Sequence, residues 1–241
     1  MTDRGSDHEP IPSGYYDIVY RHRRGIQSKW HHLKFRRVIE EMEGYQRHLD
    51  VGCGPGTLTG LLDDRFLSTG IDISTTQIEY ARRVYGSESK HFFALPVRAL
   101  PDVCRDYDVA TLVEVVEHLA SAELDDVLRA TIERLRPGGK LVVTTPNFRS
   151  AWPLVQRLIS RFGPVNYAPL HINHFTLRRL QELLEDLGLK DVSVRRYLVL
   201  APFAAALSWR LADILARLER GPIERVAGLL LLATGSKPGD D

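Results

Sequence analysis

Leu49-Asp50-Val51-Gly52-Cys53-Gly54-Pro55-Gly56 is the stretch whose reading decides the fold. The apolar run over 48–51 has the length of a buried strand, and the glycines let the chain turn sharply and bring bare backbone against a ligand. Thr57 then opens a helical pattern, so the unit reads strand, glycine loop, helix. Twenty residues past Gly52, at the end of the next apolar run, Asp72 sits in Gly70-Ile71-Asp72-Ile73-Ser74. A carboxylate at that strand end lies beside the glycine loop and can accept both hydroxyls of a ribose.

Two ligand classes use such a loop. The dinucleotide fingerprint wants glycine or alanine five residues after its first glycine, where this chain has Thr57. The G-x-G-x-G form favours S-adenosylmethionine instead.

Outward from the loop, short apolar runs alternate with helical patterns, the mark of βαβ units and a parallel sheet. Strands are expected near 48–51, 69–73, 91–94, 107–113 and 140–145. Helices are expected near 57–63, 75–85 and 121–136, the last stopped by Pro137, Gly138 and Gly139. A long connection over 147–174 carries one helix near 152–161. Thr176 caps a further helix that runs to about Leu187 and ends at Gly188. A strand over 189–199, an amphipathic helical insert over 201–218 and a last strand over 228–234 complete the order.

With 241 residues, 44% of them apolar and 26% charged, the chain can bury the core of one domain. The expected division is a tail and helical cap over 1–44 and a single domain over 45–241, with its insert at about 200–225. A formal net charge of +1 predicts no general attraction to nucleic acid or anionic membrane, so electrostatic specificity must come from local patches. One patch lies between Asp17 and Glu40, which enclose Arg21, Arg23, Arg24, Lys29, Lys34, Arg36, Arg37 and three histidines but no acid. It reads as a solvated helical face or as a cap that meets an anionic substrate. Cys53 and Cys104 form neither a disulfide framework nor a zinc motif, which fits a reducing cytoplasm. Met1 to Ser13 is polar and turn-rich, unlike a signal peptide, and reads as a frayed tail. No run approaches the roughly 20 apolar residues of a membrane span.

With these features together, residues 45 to 195 resemble the class I S-adenosylmethionine-dependent methyltransferases. LDVGCGPG looks like their first motif, which implies Asp50 as the acid that helps orient the methionine part, beside Gly52, Gly54 and Gly56. GIDIS resembles the second, with Asp72 on the ribose and Ile73 next to it. YDVATLVEVVEHL at 107–119 and LRPGGKLVVTTPN at 135–147 look like the fourth-strand and fifth-strand motifs. The implied fold is α/β: a Rossmann-like, mostly parallel seven-stranded sheet with helices on both faces, an N-terminal helical cap and a helical insert before the last strand. One departure stands out. The acid that holds the adenine amino group in the family is replaced here by the run Ala94, Leu95, Pro96, Val97.

Methyl transfer from a sulfonium needs the acceptor positioned and its proton removed. If the chain turns helical after the fourth strand, Glu114, Glu117 and His118 fall at i, i+3 and i+4 on one side. Carboxylates with imidazole suit Mg²⁺ or Mn²⁺, and such an ion would lower a bound hydroxyl's pKa. His171 and His174 follow in His171-Ile172-Asn173-His174-Phe175-Thr176. The arrangement resembles two metal-using branches of the family, the quinone-biosynthesis O-methyltransferases and the enzymes that methylate the 3′-terminal ribose of small RNAs. That likeness implies Glu114, Glu117, His118 and His171 as ligands, and His118, Glu117, His171 or His174 in the chemistry.

The sequence therefore points to an enzyme that O-methylates a small hydroxylated molecule of quinol, polyol or sugar type. A modifier of RNA termini and a non-catalytic binding module are the competing readings. In the insert, Leu207, Leu211, Ile214, Leu215 and Leu218 make an apolar face that could line an acceptor pocket, touch a membrane surface, or pack as core or against a second copy, so both monomer and homodimer stay open.

Overall fold

The computed structural model describes residues 12–162 and 171–239; most of the tail read over 1–13, and part of the connection after the 152–161 helix, lie outside them. Two helices, α1 (Tyr15–His22) and α2 (Gly25–Glu40), precede the sheet. There follow β1 (Arg47–Val51), α3 (Thr57–Leu61), β2 (Leu67–Asp72), α4 (Thr75–Tyr85), β3 (Lys90–Ala94), β4 (Tyr107–Val113), α5 (Ser121–Arg134) and β5 (Leu135–Pro146). The second half holds α6 (Trp152–Phe162), α7 (Leu177–Asp186), β6 (Lys190–Tyr197), α8 (Ala201–Ala204), α9 (Trp209–Leu218), α10 (Pro222–Ala227) and β7 (Leu230–Ser236).

The strands form one seven-stranded sheet in the order β3-β2-β1-β4-β5-β7-β6, parallel except where β7 runs antiparallel to β5 and β6. It is the Rossmann-like, mostly parallel sheet expected from the alternation of runs. Side chains alternate across it: Leu141 and Val143 enter the cluster with Leu128 and Leu184, while Val142 enters the opposite one with Phe35 and Met42. Both faces are covered, so the central strands read as nearly continuous apolar runs. The order reverses between β1 and β4, and the crevice at their carboxyl ends is where such sheets bind ligands.

Three details differ from the sequence reading. Helix α5 ends at Arg134, two residues early, because Leu135 already pairs with Tyr107; Pro137 to Gly139 then lie in an irregular stretch of β5. The insert is three helices rather than one. The charged stripe of α2 is no solvated face: Lys29 and Lys34 are buried, Lys29 Nζ lies 2.8 Å from Asp213 Oδ2, and Arg37 donates twice to the Glu224 carboxylate at 2.5 and 2.6 Å. The acids of the insert draw these cations inward, so cap and insert close on each other.

Candidate active site

The loop after β1 has Gly52, Gly54 and Gly56 all at positive φ. A Cβ on Gly52 would stand 2.5 Å from Val115 Cγ2, which places the segment after β4 directly against the loop. Gly54 differs, since a Cβ there would meet nothing within 4 Å; its bare backbone borders open space. Gly52 and Cys53 donate their N–H groups to Ile71 O at 2.8 and 3.0 Å. Asp72, at the end of β2, accepts from Gly54 N at 2.9 Å and from Ser74 N at 2.9 Å. The carboxylate thus sits at the mouth of the loop, and the next residue, Ile73, is 79% exposed.

Asp50 is buried below. It accepts from Thr59 Oγ1 at 3.0 Å and Thr111 Oγ1 at 2.9 Å, and burial pushes its carboxyl up to about 6. Because the Thr111 hydroxyl donates to Asp50, it must accept at 2.8 Å from His48 Nε2, which leaves His48 Nδ1 to accept from Ser68 Oγ at 3.4 Å. Burial lowers His48 to about 3. An unfolded histidine takes its proton near 6.5, so stability falls as pH drops from 6.5 toward 3, by about 1.4 kcal/mol per pH unit. Asp50 acts oppositely between about 6 and 4, where only the folded chain holds its proton. Urea unfolding of wild type and His48→Gln across this range isolates the histidine: the wild type should lose stability more steeply toward acid, and parallel curves would refute the assignment.

Past Val113 the chain does not continue as a helix. Glu114 takes a left-handed φ of 59°, and a single 3₁₀ turn covers Val116–His118, so Glu114, Glu117 and His118 do not share one helical face as expected. Glu114 N–H still donates to Thr144 O at 3.0 Å, the last rung of the β4–β5 ladder, and the left-handed φ then turns the chain off the strand. Its side chain accepts from Thr144 Oγ1 at 3.2 Å and lies 4.0 Å from the buried Lys34 ammonium.

Glu117, His118 and His171 converge instead, with ligand-type atoms all within 4.8 Å of one another; Glu114 stands outside this group. Main-chain bonds bring the distant histidine in, since Ile172 and Asn173 donate to Glu117 O at 2.8 and 3.0 Å. Glu117 is fully buried. Its Oε2 accepts from Thr145 Oγ1 at 3.1 Å, while Oε1 has no hydrogen-bond partner among the described residues. Burial, with repulsion from Glu114, holds this carboxyl well above the usual range. His174 is exposed and stacks on Phe148, with ring centroids 4.1 Å apart.

Sequence reading missed Gln156. The Trp152 indole, which can only donate, bonds Gln156 Oε1 at 3.1 Å, and His171 Nδ1 lies 3.2 Å from the same oxygen. Nδ1 must therefore carry the hydrogen, which leaves the lone pair on Nε2. Burial, aided by His118 and His174, lowers His171 to about 4, so the ring is neutral at pH 7. Asp17 was missed too. Fully buried, it accepts from Thr57 Oγ1 at 3.2 Å, Tyr80 OH at 2.8 Å, Arg21 Nε at 2.8 Å and Tyr85 OH, and so clasps α1 to the helix behind the glycine loop. Its only trace in sequence is that it opens the acid-free basic stretch.

Residues 21–194 match a family model described as a methyltransferase domain. The chain is 38% identical over 106 residues to a ubiquinone biosynthesis O-methyltransferase of Brucella anthropi, a match covering 42% of this chain and 41% of that protein. It is 28% identical over 176 residues to a malonyl-[acyl-carrier protein] O-methyltransferase of Enterobacter lignolyticus, covering 68% of this chain and 61% of the relative. The chain thus spans about two fifths of one relative's length and three fifths of the other's. A solved SAM-dependent methyltransferase from Archaeoglobus fulgidus shares the fold at a TM-score of 0.64 and 20% identity, with 92% of this chain and 99% of that one covered.

Proposed function

This chain belongs to the class I S-adenosylmethionine-dependent methyltransferase family, and on that premise we propose that it moves a methyl group from S-adenosylmethionine to a hydroxyl of a small acceptor. The open backbone at Gly54 takes the cofactor, Asp72 its ribose and the exposed Ile73 one face of its adenine, in place of the acid missing from 94–97. Asp50 acts through Thr59 and Thr111 to keep the loop in shape.

The observation that carries the acceptor chemistry is Glu117 Oε1, buried beside two imidazoles and without a hydrogen-bond partner among the described residues. A buried carboxylate oxygen without a donor is costly, and a divalent cation held by Glu117, His118 and His171 would satisfy it. Two imidazoles to one carboxylate fit Mn²⁺ better than Mg²⁺, which prefers oxygen donors. Such an ion supplies Lewis acidity that lowers the pKa of an acceptor hydroxyl. Gln156 engages His171 Nδ1, which assigns Nε2 as the nitrogen with the lone pair a metal needs, and Thr145 holds Glu117 Oε2. Trp152 and Phe148, both within 6.3 Å of the His171 ring, give the acceptor space aromatic walls. These suit a hydroxylated ring better than an RNA end, and Lys29 and Arg37 are taken up by acids of the insert, which leaves only Arg21, Arg23 and Arg24 of the cap exposed to a phosphate.

Incubating the chain with labelled S-adenosylmethionine and host small-molecule extract tests the reading. Label should enter a hydroxyl-bearing product, stop with EDTA and return with Mn²⁺. Transfer undiminished by EDTA would discard the ion and leave neutral His171 as the base. Gln156→Leu should weaken Mn²⁺ binding about 10- to 100-fold, as loss of a ligand's orienting partner does, with the fold intact; calorimetry with Mn²⁺ alone measures it, and unchanged affinity would refute the role.

A further inference from the structure

The segment between β6 and β7 sorts its side chains by kind. Its three acids are each engaged: Glu219 and Glu224 are buried, Glu219 accepting from Leu200 N at 2.8 Å and Glu224 pairing with Arg37, while the half-exposed Asp213 pairs with Lys29. On α9 the residues packed against the body are Ala212 and Ala216, with Leu215 half-buried beside them. What remains outside is apolar and basic. Leu211, Ile214 and Leu218 follow one another at helical spacing on α9 and are exposed, as are Leu207 in the turn before it and Ile223 and Val226 on α10. Leu207 is 84% exposed and Val226 82%. Arg210, Arg217 and Arg225 stand exposed among them, and among the described residues none has an acid partner.

We propose that this face docks on an anionic lipid bilayer. Apolar side chains exposed in a row are unfavourable in water and mark a surface that something covers. The arginines narrow the choice. In a two-fold dimer each face would meet a copy of itself, setting arginines against arginines, with Glu219 and Glu224 buried and Asp213 already paired with Lys29. A nucleic acid would use the arginines and leave the leucines wet. A bilayer with acidic headgroups takes both, leucine and isoleucine into the acyl boundary and arginine at the phosphates. Ring contacts run from Phe203 of α8 through Trp30 and Trp152 to His171, at 6.4, 5.4 and 6.3 Å between centroids, so the first helix of the same segment is linked to the ligand cluster. An acceptor drawn from the interface is a consequence that rests on the methyl-transfer reading; the docking does not.

Flotation of the full chain with vesicles tests this, using phosphatidylcholine mixed with phosphatidylglycerol against phosphatidylcholine alone. The chain should float with the acidic vesicles, less so as salt rises, and hardly with the neutral ones. Arg210→Gln and Arg217→Gln should each weaken binding about five-fold, and Leu207→Asp with Val226→Asp should abolish it while circular dichroism and S-adenosylmethionine binding stay as in wild type. The proposal is overturned if the wild type ignores acidic vesicles, if the aspartate variant still binds them, or if sedimentation shows a dimer that the same substitutions split. The arginine variants keep the test decisive should the aspartates disturb folding. Failure of the wild type to bind S-adenosylmethionine would sink the methyl-transfer reading and leave the vesicle result standing.

Discussion

Asp72→Ala is expected to weaken S-adenosylmethionine binding about 100-fold. Two hydrogen bonds from ribose hydroxyls to a carboxylate are worth about 1.5–3 kcal/mol each, and the rearranged loop recovers part of the loss. A net of about 3 kcal/mol is roughly a factor of 100. The alanine also removes the acceptor of Gly54 N–H and Ser74 N–H, so the loop should loosen as well as lose its ribose contact. Asp72→Asn keeps one acceptor without the charge and should fall between the two. Calorimetry against S-adenosylmethionine and S-adenosylhomocysteine measures both; an alanine variant within threefold of wild type would place the nucleoside elsewhere.

Glu117→Gln should do the opposite, sparing cofactor affinity and lowering kcat by roughly 10²–10³, the range ascribed to a positioned acid–base or metal-activating group. Thr145 can still donate to the amide oxygen, so the side chain keeps its place. The amide nitrogen then faces the space beside His118 and His171 and repels a cation. A pH signature separates this from simple damage. Because the Glu117 carboxyl is held well above its usual range, a cation must displace its proton, and Mn²⁺ affinity should rise with pH by up to about tenfold per unit until the carboxyl ionises. His171 adds no slope above its value of about 4. In Glu117→Gln both the affinity and the slope should vanish. Paramagnetic titration of Mn²⁺ reads this without turnover; a pH-independent affinity in wild type would dismiss Glu117 as a ligand.

How far the site could be read from residues depended on the reach of the signal. The glycine run and Asp72 were legible because a strand, a turn at positive φ and a strand-end carboxylate are written within two dozen residues, and parallel pairing brings β1 and β2 together in register. The grouping of Glu114 with Glu117 and His118 failed because it assumed helical spacing. The left-handed φ at Glu114 breaks the chain direction at the strand end, and only a single 3₁₀ turn follows before α5. The two readings of the basic run in the cap could not be separated from residues, because Asp213 and Glu224, the acids that engage Lys29 and Arg37, lie more than 180 residues away.

Taken by itself, the order of residues determined the alternation of strands and helices, the glycine loop with its strand-end acid, and the absence of any apolar run long enough to span a bilayer, since each follows from propensity and local spacing. Only the packed chain decided which of Glu114, Glu117, His118, His171 and His174 meet, how Gln156 sets the His171 tautomer, how Asp17 anchors α1, and that the insert faces outward with leucine and arginine. Those outcomes depend on through-space contacts among elements far apart in sequence. Burial then sets which carboxylate is left wanting a partner.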